Sequence, residues 1–228
     1  MKLTQKEIER LSNHAGMFTK LPIIFDKYSI RTQGITAGNS CFMSFYQEAK
    51  TGCEEETQYS LNSTDLKRIN KTLKTAKPKD DPIEIIDNGA LLFKKGNKSL
   101  SIPVYDEEQL FPDLDNLDLD YSVYKINRSE LENVDILPGE MYINIYTDNN
   151  NVTFESKKQN RKVTNTLLSE DTQNPNNVSG SFQYEPFINI IKAFKEGERL
   201  VLFLKEDQPL SIASEDGKIR YWLAGANR

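Results

Sequence analysis

Histidine is nearly absent from this chain of 228 residues, in which His14 is the only one. Its scarcity removes the commonest general base and the commonest zinc ligand from any chemistry the chain could perform. Cysteine is almost as rare. Cys41 and Cys53 are too few for a disulfide framework and lack metal-ligand spacing, so both are expected as reduced thiols with a structural role. No stretch approaches the roughly 18 apolar residues of a membrane helix. The opening Met1-Lys2-Leu3-Thr4-Gln5-Lys6-Glu7 turns charged and helical where a signal peptide would need an apolar core. An intracellular protein is therefore expected, in the cytoplasm or nucleoid, or in the nucleus of a eukaryotic cell. Also missing are a phosphate-cradling GxxxxGK[ST], a GxGxxG after a strand, and a GxSxG. No enzyme, catalytic residue, cofactor or metal site is expected, although carboxylates are plentiful and a glycosidase-like pair among them stays open.

What the chain does contain is a long internal repeat. Shifted by about 121 positions, Tyr59-Ser60-Leu61-Asn62 through Leu73-Lys74 falls on Gly180-Ser181-Phe182-Gln183 through Phe194-Lys195. Apolar meets apolar at Leu61/Phe182, Leu66/Phe187, Ile69/Ile190 and Leu73/Phe194, while Lys71 and Lys74 land on Lys192 and Lys195. With a small gap the match continues, Leu91-Leu92-Phe93 and Leu100-Ser101-Ile102 pairing with Leu210-Ser211-Ile212 and Ile219-Arg220-Tyr221. Two copies of one α+β domain follow from this, in a chain long enough for two cores.

Local signals place the elements. Thr4-Gln5-Lys6-Glu7 is a capping box, with Leu3 and Ile8 as its hydrophobic staple, opening a helix that runs to about Ala15. Strands are expected at Ile23 to Phe25, Tyr28 to Arg31, Cys41 to Gln47 and Thr57 to Leu61, with Gly34 and Gly52 among the turn signals. A second helix starts at Asn62-Ser63 and ends near Ala76, ahead of Pro78. Three strands then close the half, Ile83 to Ile86, Ala90 to Phe93 and Ser99 to Val104, turning at Asn88-Gly89 and Gly96-Asn97.

Asp106 to Asp120 reads as a connector, its acidic residues and Pro112 interleaved with Leu110, Phe111, Leu114, Leu117 and Leu119. So many large apolar residues imply a connector lying against the protein with some of them accessible. Domains are accordingly expected at 1–105 and 121–228, with 106–120 between them. The second half repeats the pattern: a strand at Tyr121 to Ile126, a cramped helix at Ser129 to Val134, and strands at Met141 to Tyr146, Val152 to Ser156 and Val163 to Leu168. An Asn/Ser-rich loop is expected from Ser169 to Gly180, then a helix from Glu185 to Lys195 and strands at Arg199 to Leu204, Leu210 to Ala213 and Lys218 to Leu223. Each domain thus reads as strand, helix and three strands, performed twice.

The two long helices of the repeat are basic outside. Leu66, Ile69, Leu73 and Ala76 share one face of the second helix, leaving Lys67, Lys71 and Lys74 on the other with Arg68 beside them. Because 29 basic against 34 acidic residues give a net charge of −5, this concentration is not a by-product of a basic composition. An acidic protein with basic helix faces can meet DNA on one surface while the rest repels it. Such contacts go to phosphates and read no sequence, and no base-reading module accompanies them.

At Leu61-Asn62-Ser63-Thr64-Asp65-Leu66-Lys67-Arg68-Ile69, Asp120-Tyr121-Ser122-Val123 and Lys205-Glu206-Asp207-Gln208-Pro209-Leu210, the chain resembles the DNA sliding clamps of the proliferating cell nuclear antigen (PCNA) type, whose family includes archaeal and more distant phage clamps. Its ending Tyr221-Trp222-Leu223-Ala224 is similar to the family's Tyr-Tyr-Leu-Ala-Pro. The resemblance spans nearly the whole chain in element order and in duplication. It implies a homotrimeric, head-to-tail ring with helices on the inner face and antiparallel sheets outside, acting as a polymerase processivity factor in DNA replication and repair. Carried over, the hole would be lined by Lys6, Arg10, Lys67, Arg68, Lys71, Lys74, Lys192 and Lys195, and edge strands near Ser99 to Tyr105 and Val163 to Leu168 would pair between subunits.

The resemblance further implies an apolar pocket for peptide tails of DNA polymerase and other replication and repair proteins, at Phe42, Leu114, Leu117, Pro209, Trp222, Ala224 and Gly225. A clamp loader would be a further partner. The chain departs from the family twice. Gly225 stands where proline is usual, and the first helix of the second domain is short and carries Glu130, Glu132 and Asp135 where a longer basic helix is usual. A reading of a different class is a monomeric clamp-fold accessory that binds DNA by an outer surface or serves as a protein-interaction scaffold.

Overall fold

The first helix starts where side chains can satisfy its unpaired amides. In the computed structural model, which describes residues 1–104 and 120–226, the Thr4 hydroxyl accepts from the Glu7 N–H at 3.3 Å and the Glu7 carboxylate accepts from the Thr4 N–H at 2.6 Å. This reciprocal cap opens α1 (Gln5–His14), which follows a two-residue strand, β1 (Lys2–Leu3). Ile8 and Leu11 give α1 its buried stripe, and a 3₁₀ turn at Ala15–Met17 ends it. Three strands follow: β2 (Lys20–Phe25), β3 (Ser29–Ile35) and β4 (Cys41–Glu48). The motif then repeats as β5 (Thr57–Asn62), α2 (Ser63–Lys74), β6 (Ile83–Asp87), β7 (Ala90–Lys95) and β8 (Lys98–Pro103). The side chain of Asn62 caps α2 by accepting from the Asp65 N–H at 2.7 Å.

The later residues run through the same order. They form β9 (Ser122–Asn127), α3 (Arg128–Glu132), β10 (Tyr142–Asp148), β11 (Asn151–Lys158) and β12 (Arg161–Leu168). A short β13 (Asp171–Gln173) precedes the last motif, β14 (Ser179–Gln183), α4 (Tyr184–Ala193), β15 (Arg199–Leu204), β16 (Leu210–Ser214) and β17 (Ile219–Leu223). Four strand, helix and three-strand motifs are therefore present, in the expected order.

Two compact units form. Among the described residues one comprises 1–37 and 44–104, and the other 38–43 and 120–226. Within each unit the two motifs exchange their first strands. In the first unit β1 joins the sheet β1-β6-β7-β8, while β5 completes β4-β3-β2-β5. In the second, β9 joins β13-β9-β15-β16-β17 and β14 completes β12-β11-β10-β14. The exchange leaves neither motif with a complete sheet of its own, so each pair of motifs must fold as one core. Residues 38–43, including the start of β4, belong to the second unit rather than to the first.

The helices supply the apolar layer over these sheets. Leu66, Ile69 and Leu73 of α2 are fully enclosed, and α2 packs on β7 and β8 and alongside α1. In the second unit Phe187, Ile190 and Ile191 do the same for α4, with the Phe187 ring 5.8 Å from that of Phe154. The positions aligned by the repeat, Leu66/Phe187, Ile69/Ile190 and Leu73/Phe194, are all buried.

The structure corrects several local expectations. Gly34 lies within β3 instead of turning the chain. A Cβ there would come 2.3 Å from Leu21 Cδ2 and 3.0 Å from Phe18 Cδ1, both in the core. Glycine is needed for close approach, which sequence cannot separate from a turn. Gly34→Ala is expected to destabilise the protein by about 1–3 kcal/mol through overpacking, measured as a lower urea midpoint at constant m-value. The span read as a loop from Ser169 to Gly180 contains β13 and the start of β14. There the Ser169 hydroxyl accepts from the Lys125 N–H at 2.9 Å and Lys125 pairs with Asp171 at 2.9 Å, drawing a polar segment onto the edge of β9. Finally, α4 stops at Ala193. Phe194 is extended, with its ring 5.9 Å from Tyr221, so Lys195 lies beyond the helix.

Candidate functional site

Amphipathic spacing on α2 forces Lys67, Arg68 and Lys71 to the solvent side, because Leu66, Ile69 and Leu73 occupy the buried side. All three are exposed, as is Lys74. Lys74 is not an isolated cation, however. Its Nζ lies 3.1 Å from the Glu9 carboxylate of α1. The carboxylate comes from a position 65 residues away, so the chain around α2 gives no hint of it. On α1, Lys6 is exposed and Arg10 half-buried.

A polar chain holds the two helices in register: the buried Lys95 donates to Gln5 Oε1 at 3.3 Å, and Gln5 Nε2 donates to Asn70 Oδ1 at 2.8 Å. Through this chain the buried Lys95 reaches both helices, a link the sequence does not disclose because Gln5 stands 90 residues away. The stem of Lys67 passes beside Gly16, where a Cβ would stand 3.8 Å from both Lys67 Cε and Nζ.

In the second unit the basic contribution is thinner. Lys192 is exposed on α4, and Lys195 is exposed on the turn after it. The short acidic reading of α3 is reproduced, at five residues. Its single cation, Arg128, turns inward, pairing with Glu132 at 2.6 Å and donating to the Ile191 carbonyl at 3.2 Å. Ser129, Glu130 and Asn133 are what α3 and its cap expose.

Of the seven residues implied for a peptide pocket, five are described, and all five belong to the second unit. Leu114 and Leu117 lie outside the described residues. Phe42 and Trp222 are brought together, with ring centroids 5.3 Å apart and planes tilted by 56°. Pro209 is half-buried, while Ala224 and Gly225 are exposed. The Ala224 N–H is held by the Ser40 carbonyl at 2.9 Å, and Gly225 bridges to Phe182. Arg220 lies over both Trp222 (5.1 Å) and Phe203 (4.2 Å), a cation-π arrangement that the sequence does not disclose. Trp222 Nε1 is buried with no acceptor among the described residues, and such a donor is satisfied when a ligand brings a carbonyl to it.

The scarce residues sit in the core. His14 is buried with its ring 5.7 Å from Phe45. Cys41 and Cys53 are buried and not joined in a disulfide, and desolvation pushes the Cys41 thiol up to about 12. No helix is long and apolar enough to cross a membrane, and among the described residues no three His, Cys, Asp or Glu side chains gather as a metal ion requires.

No family model matches the chain, and no curated protein matches it in sequence. Its fold does have close counterparts among solved structures. PCNA from Thermococcus kodakaraensis superposes with a TM-score of 0.74 at 14% identity, over 98% of this chain and 97% of that one. PCNA from Entamoeba histolytica gives 0.77 at 16% identity, over 98% and 96%. A. fulgidus PCNA, solved with the C-terminal region of FEN-1 bound, gives 0.76 at 13%, over 100% and 98%. A DNA polymerase III beta subunit from Eubacterium rectale gives 0.80 at 15%, this chain spanning 65% of it. With four exchanged strand, helix and three-strand motifs that superpose along nearly their whole length on these proteins, the chain has the fold of the DNA sliding clamps.

Proposed function

We propose that this chain is the subunit of a DNA sliding clamp, a homotrimeric ring that encircles duplex DNA without sequence specificity and acts as a processivity factor. The observation that carries the reading is the exposed Lys67, Arg68 and Lys71 face of α2 on a clamp fold, in a chain of net charge −5. Such a face suits transient phosphate contacts, which position a protein on DNA and let it slide. Two strands suit the ring closure. Among the described residues β8 and β12 are edges of their sheets, and an unpaired edge accepts a strand from another copy.

The Phe42 and Trp222 pair supports a second role, tethering DNA polymerase and other replication and repair proteins, with a clamp loader opening the ring. The solved complex of A. fulgidus PCNA with the C-terminal region of FEN-1 supports a peptide tail as the docking element. An intracellular location with access to chromosomal DNA follows from the same reading.

Light scattering coupled to size exclusion tests assembly: three subunits are expected, and a stable monomer at micromolar concentration would leave the chain as a clamp-fold accessory, the reading favoured by the acidic α3. For the basic face, Lys67→Ala with Lys71→Ala is expected to lower the slope of log affinity against log salt by about 2 on short duplex DNA. An unchanged slope would remove α2 from the interface.

A further inference from the structure

Among the described residues of the second unit, the densest run of basic side chains is not on a helix. It lies at the tip of the β11–β12 hairpin, where Lys157, Lys158, Arg161 and Lys162 fall within six residues around Gln159 and Asn160. Strand register sets Lys157 directly opposite Lys162 and Lys158 directly opposite Arg161. Like charges facing each other across a hairpin oppose folding. In a protein of net charge −5, an external anion at the tip would offset this cost.

The neighbouring groups relieve only part of the repulsion. Lys162 pairs with Glu155. Lys158 Nζ rests 3.2 Å from the carbonyl oxygens of Pro138 and Gly139, neutral acceptors that tie the tip to the segment that follows α3. Two more bonds fix that segment along the hairpin: the Leu137 N–H donates to Ser156 Oγ at 3.0 Å, and Asn165 Nδ2 donates to the Asp135 carbonyl at 3.1 Å. The side chains of Lys157 and Arg161 are exposed and make no ion pair or hydrogen bond among the described residues. The helix this segment leaves is the acidic, five-residue α3, whose Arg128 is turned inward.

We propose that the β11–β12 hairpin tip is a nucleic-acid contact, binding duplex phosphates and supplying in the second unit the positive charge that α3 lacks. The inference rests on the clamp reading for its DNA ligand. A phosphate backbone fits the tip better than a protein partner does. The six residues 157–162 contain no apolar side chain, whereas protein interfaces draw their affinity from buried aromatic and apolar anchors. Lysine and arginine without anchors match a hydrated polyanion read without sequence.

Lys157→Glu with Arg161→Glu tests the inference without threatening the fold, because both cross-strand pairs become opposite in charge. On the full-length protein and a short duplex, the double variant is expected to lose affinity on the order of tenfold and to lower the salt slope by about 2. Lys67→Ala with Lys71→Ala serves as the separate arm for the clamp reading. If the hairpin variant keeps wild-type affinity and slope while the α2 variant loses both, the hairpin inference is overturned and the clamp reading stands. If the hairpin variant alone weakens binding, the hairpin contact stands and the clamp lining by α2 fails. A poly-glutamate peptide or anionic vesicle binding the tip as tightly as duplex DNA, with the same dependence on Lys157 and Arg161, would overturn nucleic acid as its ligand.

Discussion

Protein bound to linear duplex is expected to become inseparable from it once the ends are ligated into a circle, and to leave when the circle is cut. The test needs no loader, because a ring can thread over free ends. High salt makes it decisive. At about 1 M the screening length is about 3 Å, and a protein held by six to ten phosphate contacts has already lost about 10³ to 10⁵ in affinity between 50 and 200 mM. Contacts from Lys67, Arg68 and Lys71 would therefore vanish, whereas a threaded ring stays linked to closed DNA. Retention on circles with release from cut DNA, read by gel filtration, is the expected result. Equal loss from both forms would mean ordinary surface binding and would end the ring reading.

Replacing Trp222 should produce the largest single-site effect on partner docking. Its ring meets Phe42 at 5.3 Å, and its Nε1 is buried without an acceptor among the described residues, so one side chain offers both an apolar wall and a donor for a ligand. Aromatic anchors of this kind carry 2 kcal/mol or more when truncated, close to a thirtyfold loss at about 1.4 kcal/mol per factor of ten. On the proposed docking role, with a FEN-1 C-terminal peptide as the probe, Trp222→Ala is expected to weaken binding by about thirtyfold in a calorimetric titration. Trp222→Phe keeps the contact with Phe42 but removes the N–H, and is expected to cost only several-fold. Near-ultraviolet dichroism and light scattering report whether each variant keeps its fold and assembly. A folded, assembled Trp222→Ala protein with wild-type affinity would show that the peptide docks elsewhere.

The basic surface shows how far spacing alone carries an argument. Leu66, Ile69 and Leu73 recur at the helical period, so the opposite face of α2 had to expose Lys67, Arg68 and Lys71, and it does. The same reasoning says nothing about Glu9, which reaches Lys74 from another helix. It also extends α4 too far, since Phe194 fits the helical pattern but is buried beside Tyr221 with an extended backbone. At the β11–β12 hairpin, alternation marks two strands, yet only their register brings Lys157 against Lys162 and Lys158 against Arg161. The pocket residues came from resemblance. The contact of Phe42 with Trp222 then emerged because residues 38–43 belong to the second unit.

Sequence alone determined the four motifs, their duplication and the basic outer side of α2, because each depends on neighbours within a few residues: a capping side chain, an apolar period, a turn residue. Only the tertiary structure decided the exchange of β1 with β5 and of β9 with β14 between motifs, the inward turn of Arg128, the hydrogen bond from the buried Lys95 to Gln5 of α1, and the meeting of Phe42 with Trp222. Those features are set by pairings between residues far apart in the chain, where the lowest free energy belongs to the whole core and leaves no period for a local pattern to reveal.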